Sequence, residues 1–226
     1  MAITLDGTSG ITTPSITSPL QLSNVALAGT AVAGQFEYNG TAPFFTPMGT
    51  QRGIIPGMQY YAIGASGYTT SPNTGVQPTY GVGVTLSSNT QYCFEMYFVL
   101  YKTVGTGSGG IISTAFGGTA TLNSIAYGGN CAGNLTANSI GISTGNIGFN
   151  ISAAPSAITN SQTGTPNGVI VRFTGVVSVN AGGTFIPQFS MSTAITGGSY
   201  VTQPGSYFAI WPAGLSTTNI SVGTWA

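Results

Sequence analysis

Thirty-five glycines and twelve prolines are scattered through this 226-residue chain, and no stretch of a dozen residues repeats apolar positions at helical spacing without meeting one of them. In a helix interior glycine costs about 1 kcal/mol and proline about 3 relative to alanine, so helices are excluded as the main building element. Between the breakers lie short runs rich in aromatic and β-branched side chains, which is the pattern of strands. The strongest is 91–102. It alternates Tyr92, Phe94, Met96, Phe98 and Leu100 with Cys93, Tyr97, Val99 and Tyr101, so both faces carry apolar side chains. Such a strand is either central to a sandwich or covered on its outer side by another subunit, and Tyr97 and Tyr101 are the residues expected at a subunit contact.

Similar runs occupy 110–116, 168–179, 184–191, 200–211 and 220–225, with shorter apolar pieces at 81–86 and 119–126. The glycine-rich, polar stretch 128–166 reads as long loops with one or two weak strands around 140–151. Short strands at this spacing predict an all-β protein, an antiparallel β-sandwich of jelly-roll-like form, over residues 59–226. Residues 1–58 form the other unit, an attachment region with a short hairpin at Phe36-Glu37-Tyr38 and its following Asn39-Gly40 turn. The first twenty residues read as an extended arm, with Ile3, Leu5, Ile11 and Ile16 as isolated anchors able to add to a neighbour's sheet edge. A plain terminus is the alternative reading.

Charge narrows the functions further. Asp6, Glu37 and Glu95 are the only acids and Arg52, Lys102 and Arg172 the only bases, 3% of residues where an ordinary soluble domain has about 25%. Three scattered cations cannot make the footprint that nucleic acid or an anionic membrane surface requires. The 42% apolar fraction argues against disorder, and a net charge of zero leaves little self-repulsion between copies, which suits a component of an assembly, with a monomer kept soluble by its Ser, Thr and Asn as the alternative. The opening Met-Ala-Ile-Thr-Leu-Asp6 has neither a cationic start nor an apolar run, so no secretory leader is expected. The most apolar run, 92–101, is about half the length of a spanning helix and contains Glu95, so no membrane insertion is expected. Cys93 and Cys131 fit neither a disulfide framework nor a zinc site and read as free thiols, with a single bridge left open.

Histidine is absent, which removes Ser-His-Asp and Cys-His catalysis and every histidine metal site. A carboxylate pair for glycoside hydrolysis would have to come from three acids, two of them inside apolar runs. The structural reading of those charges is stronger, because a carboxylate among apolar neighbours must find a cation. Glu37 is expected to pair with Arg52, and Glu95 with Arg172 or Lys102. Gly105-Thr-Gly107-Ser-Gly-Gly110 matches a dinucleotide fingerprint, but Ile111-Ile-Ser-Thr-Ala-Phe116 follows as a strand where a helix would be needed, so a hairpin loop is the better reading. No cofactor is expected, and the chain reads as non-enzymatic.

The opening MAITLDGTSGITTPSITS, the stretch GQFEYNGTAPFFTPMGTQRGIIP at 34–56, and the closing GTFIPQFSMS, PGSYFAIWPAG and VGTWA together resemble a widespread group of tailed-bacteriophage virion proteins. Members of that group serve as head decorations, head fibres and tail-fibre or tail-tip components. The resemblance implies a homotrimer with a β-sandwich head on the exterior of the virion, bound to a phage capsid or tail protein. Tyr60, Tyr61, Tyr68, Tyr80 and Tyr127 are expected to pack between subunits, with stacking on a host-surface glycan as the alternative, and in a receptor-binding module the outer loops of 128–166 are the stretch expected to bind that glycan.

Overall fold

The computed structural model describes residues 26–106, 110–135, 146–159, 161–162 and 167–225. The arm anchors Ile3, Leu5, Ile11 and Ile16 lie outside the described residues, as does the tip of the glycine loop at 107–109. Among the described residues there are strands and no helix. Three short strands come first: β1 (Phe36–Tyr38), β2 (Pro43–Phe45) and β3 (Gly53–Ile54). They pair only with one another, as an antiparallel meander. Its first turn is local chemistry: Asn39 Oδ1 accepts from the Thr41 and Ala42 amides at 3.0 and 2.9 Å, and Gly40 supplies a φ of +85°.

The following strands are β4 (Gln59–Ala62), β5 (Tyr68–Thr69), β6 (Gln77–Pro78), β7 (Val84–Leu86), β8 (Thr90–Lys102), β9 (Ile112–Gly117) and β10 (Thr121–Leu135). After them come β11 (Asn146–Asn150), β12 (Ser156–Ala157), β13 (Asn167–Ala181), β14 (Gly183–Met191), β15 (Val201–Thr202) and β16 (Tyr207–Leu215). Side by side, β4, β16, β8 and β13 make one sheet, and β7, β14, β9 and β12 make the other. That is the strand order of two interlocked Greek keys, a jelly roll. The β10–β11 hairpin extends the first sheet beyond β13, so the chain is an antiparallel β-sandwich with one sheet much larger than the other.

The core between the sheets is aromatic. Phe94 of β8 meets Phe116 of β9 at 5.3 Å between centroids, and Phe116 stacks on Phe185 of β14 at 5.1 Å. Met96, Phe98, Leu100, Val169 and Val171 are fully buried around them. Each such side chain contributes about 1.5–3 kcal/mol of burial, and Leu86, Ile112, Phe185, Phe189 and Met191 of the facing sheet add to the same layer.

Three sequence expectations are corrected here. Residues 200–211 are not one strand: Gln203-Pro204-Gly205 interrupts it, with Gly205 at φ +85°, and leaves β15 and β16. Residues 220–225 form no strand, because Gly223 turns at φ +101° and the Trp225 indole donates to the Val222 carbonyl at 2.6 Å. Residues 128–135, read as loop, belong to β10. There the glycines serve close approach and not turning: a Cβ on Gly128 would sit 2.9 Å from the Gly148 carbonyl oxygen.

Two tyrosines are buried whole. The Tyr80 hydroxyl lies 2.7 Å from the Tyr207 carbonyl oxygen and 3.1 Å from that of Tyr97, and Tyr200 donates to Asn167 Oδ1 at 3.1 Å. Burial raises the pKa of Tyr200 to about 12 and that of Tyr80 well above its ordinary value, with Tyr207 adding to the latter. An unfolded chain releases these protons near pH 10 while the fold still holds them, so stability is full below pH 10 and falls as pH climbs toward 12. A melting temperature flat from pH 6 to 9 and dropping above 10 is the expected profile by differential scanning calorimetry. Tyr200→Phe should flatten the alkaline drop while costing about 1 kcal/mol at neutral pH through the lost hydrogen bond.

Candidate functional site

Strict alternation along β8 sorts its residues by face. Tyr92, Phe94, Met96, Phe98, Leu100 and Lys102 point into the core, while Cys93, Glu95, Tyr97, Val99 and Tyr101 are half-buried on the opposite side. This settles the partner of Glu95. Lys102 is seven positions along the strand and therefore on the inner face, where burial lowers its pKa. Arg172, one strand over on β13, points outward and donates from Nη2 to Glu95 Oε1 at 3.0 Å. Tyr207 of β16 donates to the same oxygen at 2.7 Å, and that bond to a carboxylate, followed by burial, raises the tyrosine's pKa.

Register then places a set of aromatic side chains on the outward face. Tyr97 lies opposite Tyr207, and Tyr60 of β4 is next in line. Their rings stack in series, Tyr97 on Tyr207 at 5.9 Å and Tyr207 on Tyr60 at 5.6 Å, from the centre of the sheet to the β4 edge. Tyr101 stands on the same face, opposite Val201 of β15 and Gly168 of β13. Beyond β4 the sheet has no further strand among the described residues, and all four residues of β4 are exposed.

Toward the other end of β8, the outward face holds an open groove of about 510 Å³. Cys93 and Trp211 face each other across β8 and β16, Glu95 and Thr174 across β8 and β13, and Phe149 of β11 stands 85% exposed opposite Gly128. The missing side chain at Gly128 keeps the groove open, since a Cβ there would crowd the Cβ of Phe149 at 3.3 Å.

The second ion pair lies at the β1–β3 meander, from Glu37 on β1 to Arg52 just before β3. Arg52 grips Glu37 with two bonds, Nε to Oε2 at 2.7 Å and Nη2 to Oε1 at 3.2 Å. Both partners also bind the backbone of Ala28: Arg52 Nη2 donates to its carbonyl and the Ala28 amide donates to Glu37 Oε1, each at 2.7 Å. The side chains are only 17% and 7% exposed, so the pair fixes the start of the described chain to β1 and β3.

Of the five tyrosines expected at a subunit or glycan contact, Tyr80 and Tyr127 are buried in this chain's own core, a correction. Tyr68 is half-buried against that core, and Tyr60 and Tyr61 are exposed. Cys93 and Cys131 stand on opposite faces of the large sheet and do not bridge each other, and the Cys131 thiol donates to the Ile158 carbonyl. Thr174, Tyr207 and Trp211 escaped the sequence reading, and Phe149 entered it only as part of the stretch 128–166. Only the pairing register shows that Trp211 stands beside Cys93 and Thr174 beside Glu95. No protein-family model, curated protein or solved structure matches the chain.

The two pairs differ in what they stabilise. Arg52→Ala leaves a buried carboxylate without its cation and should cost about 3–5 kcal/mol, read as loss of amide-exchange protection in 28–54. Glu95→Gln, on an exposed pair, should change global stability by less than about 1 kcal/mol in urea unfolding.

Proposed function

We propose that this protein is a non-enzymatic structural component of a tailed-phage virion: a homotrimeric capsid decoration or fibre appendage on the particle's exterior, attached through its N-terminal arm. The observation that carries the reading is the outward face of the large sheet. A jelly roll with its own aromatic core still presents a ladder of stacked tyrosines, Tyr97, Tyr207 and Tyr60, that runs to a strand edge unpaired among the described residues. Aromatic side chains at low charge density are what subunit contacts favour. The resemblance of residues 1–18, 34–56 and the C-terminal motifs to virion proteins supports the same reading. So does the buried Glu37–Arg52 clamp on Ala28, since an attachment arm transmits force only if its root is fixed.

A non-enzymatic role is favoured by the placement of the acids. Glycoside hydrolysis needs two carboxylates flanking one bond, and Glu37 and Glu95 sit in different sheets, each engaged by an arginine. The second reading is a tail-fibre or tail-tip module that recognises a host-surface glycan, and the open groove at Trp211 and Phe149 favours it.

Quantitative mass spectrometry of purified particles against the major capsid protein tests the assignment. Hundreds of copies are expected for a head decoration and a few, in multiples of three, for a fibre or tail tip; absence from the particle overturns it. Purified oligomers are expected to keep their mass in light scattering from low salt to about 1 M, because apolar contacts and not exposed ion pairs hold them. Tyr60→Asp at the end of the ladder should shift that mass toward the monomer.

A further inference from the structure

The groove on the outward face combines two features that a mere packing surface does not need together. Its walls are apolar rings, Trp211 on one side and Phe149 on the other. Between them lie polar groups with hydrogen-bonding capacity unused among the described residues. Both bonds to Glu95, from Arg172 and Tyr207, end on Oε1, so Oε2 receives none. The Thr174 hydroxyl and the Trp211 indole N–H are likewise without partners there. A ligand that fits has an apolar face to lie on a ring and hydroxyls at its edge to give and take hydrogen bonds.

We propose that this groove binds a neutral glycan, with a sugar ring stacked on Trp211 and its hydroxyls engaging Glu95 Oε2 and Thr174. The proposal deepens the receptor-binding reading above and rests on it for biological meaning, though the binding itself is testable in isolation. Charge selects the class of sugar. Glu95 is already neutralised by Arg172, Arg52 is committed to Glu37, and Lys102 lies on the other face of β8. An acidic sugar would therefore face the free carboxylate oxygen with no uncommitted cation nearby. An acyl chain or the apolar face of a second copy would cover Glu95 Oε2 and Thr174 without satisfying them, which costs about 1–3 kcal/mol per group. An extended peptide would seek an open sheet edge, whereas here the backbone of β8 is paired on both sides.

The test uses the full chain carrying Trp225→Phe, which leaves Trp211 as the sole indole. Its fluorescence and saturation-transfer NMR are followed against neutral tri- to hexasaccharides of glucose, galactose, rhamnose and N-acetylglucosamine, with oligogalacturonate as the acidic probe. At least one neutral oligosaccharide is expected to change Trp211 emission and slow iodoacetamide labelling of Cys93. Glu95→Gln and Thr174→Val, both mild at partly exposed positions, should each weaken binding about tenfold, and Trp211→Ala should abolish it. No binding by any neutral probe, binding of the acidic probe alone, or binding unchanged in Glu95→Gln and Trp211→Ala overturns the proposal. Protection of Cys93 that grows with protein concentration without sugar also overturns it, because a second copy then covers the groove. Loss of sugar binding in Trp211→Ala with particle adsorption to cells intact supports the groove while removing the receptor-binding reading.

Discussion

The hydrogen-bonded position of β8 is the constraint on which the rest of this structure depends. β13 pairs along one side for twelve residues, from Asn167 against Lys102 to Ser178 against Gln91, while β16 and β15 share the other side. With both edges occupied, the strand cannot slip by one residue without turning its whole inner row outward. Tyr92, Phe94, Met96, Phe98 and Leu100 are therefore fixed in the core, and Cys93, Glu95, Tyr97, Val99 and Tyr101 are fixed outside it. One sequence of alternating side chains thus supplies both the main hydrophobic layer and the surface on which a partner or ligand can act.

The legible part of this fold follows from the same alternation. A run in which every second side chain is apolar on both faces announces a central strand, and residues 91–102 carried that signal in full. Isolated charges were legible too, because Glu37 follows Phe36 on a strand whose turn, Asn39-Gly40, brings the chain back toward Arg52. Less was legible where glycine plays against type. In β10, Gly128 and Gly129 look like punctuation, yet they let β11 and β13 approach on either side. The outward groove could not be read at all, because Trp211 and Cys93 are neighbours only through a register that pairs residues 118 positions apart. Tyr80 shows the converse: a tyrosine in a glycine- and proline-rich stretch looks exposed, but its hydroxyl bridges the carbonyls of Tyr97 and Tyr207 from inside the core.

The few charges divide their labour by depth. Glu37 and Arg52 are nearly buried, doubly bonded, and shared with the backbone of Ala28, so they act as a clamp whose removal leaves an uncompensated charge. Glu95 is half-buried but Arg172 is 64% exposed, so their mutual attraction is screened from the solvent side and adds little to stability. Their value lies in orientation: Arg172 and Tyr207 hold one oxygen of Glu95, a residue that lines the groove, and leave the other without a partner among the described residues.

That division also separates the two uses proposed for one sheet face. Around β4 the exposed groups include Met58, Tyr60 and Tyr61 beside the uncharged Gln59, and among the described residues the strand has an unpaired edge and carries no charge of its own to repel a neighbour. A second copy can bury such a surface at low desolvation cost. Near Glu95 the same face carries unused donors and acceptors, which a flat apolar partner would strand and a polyhydroxylated one would satisfy. The tyrosine ladder from Tyr97 to Tyr60 connects these regions, so subunit packing at the β4 edge would stiffen Tyr207, the residue that holds Glu95 in place. Assembly at the edge and recognition in the groove are therefore compatible on one face, and each would make the other more precise in geometry.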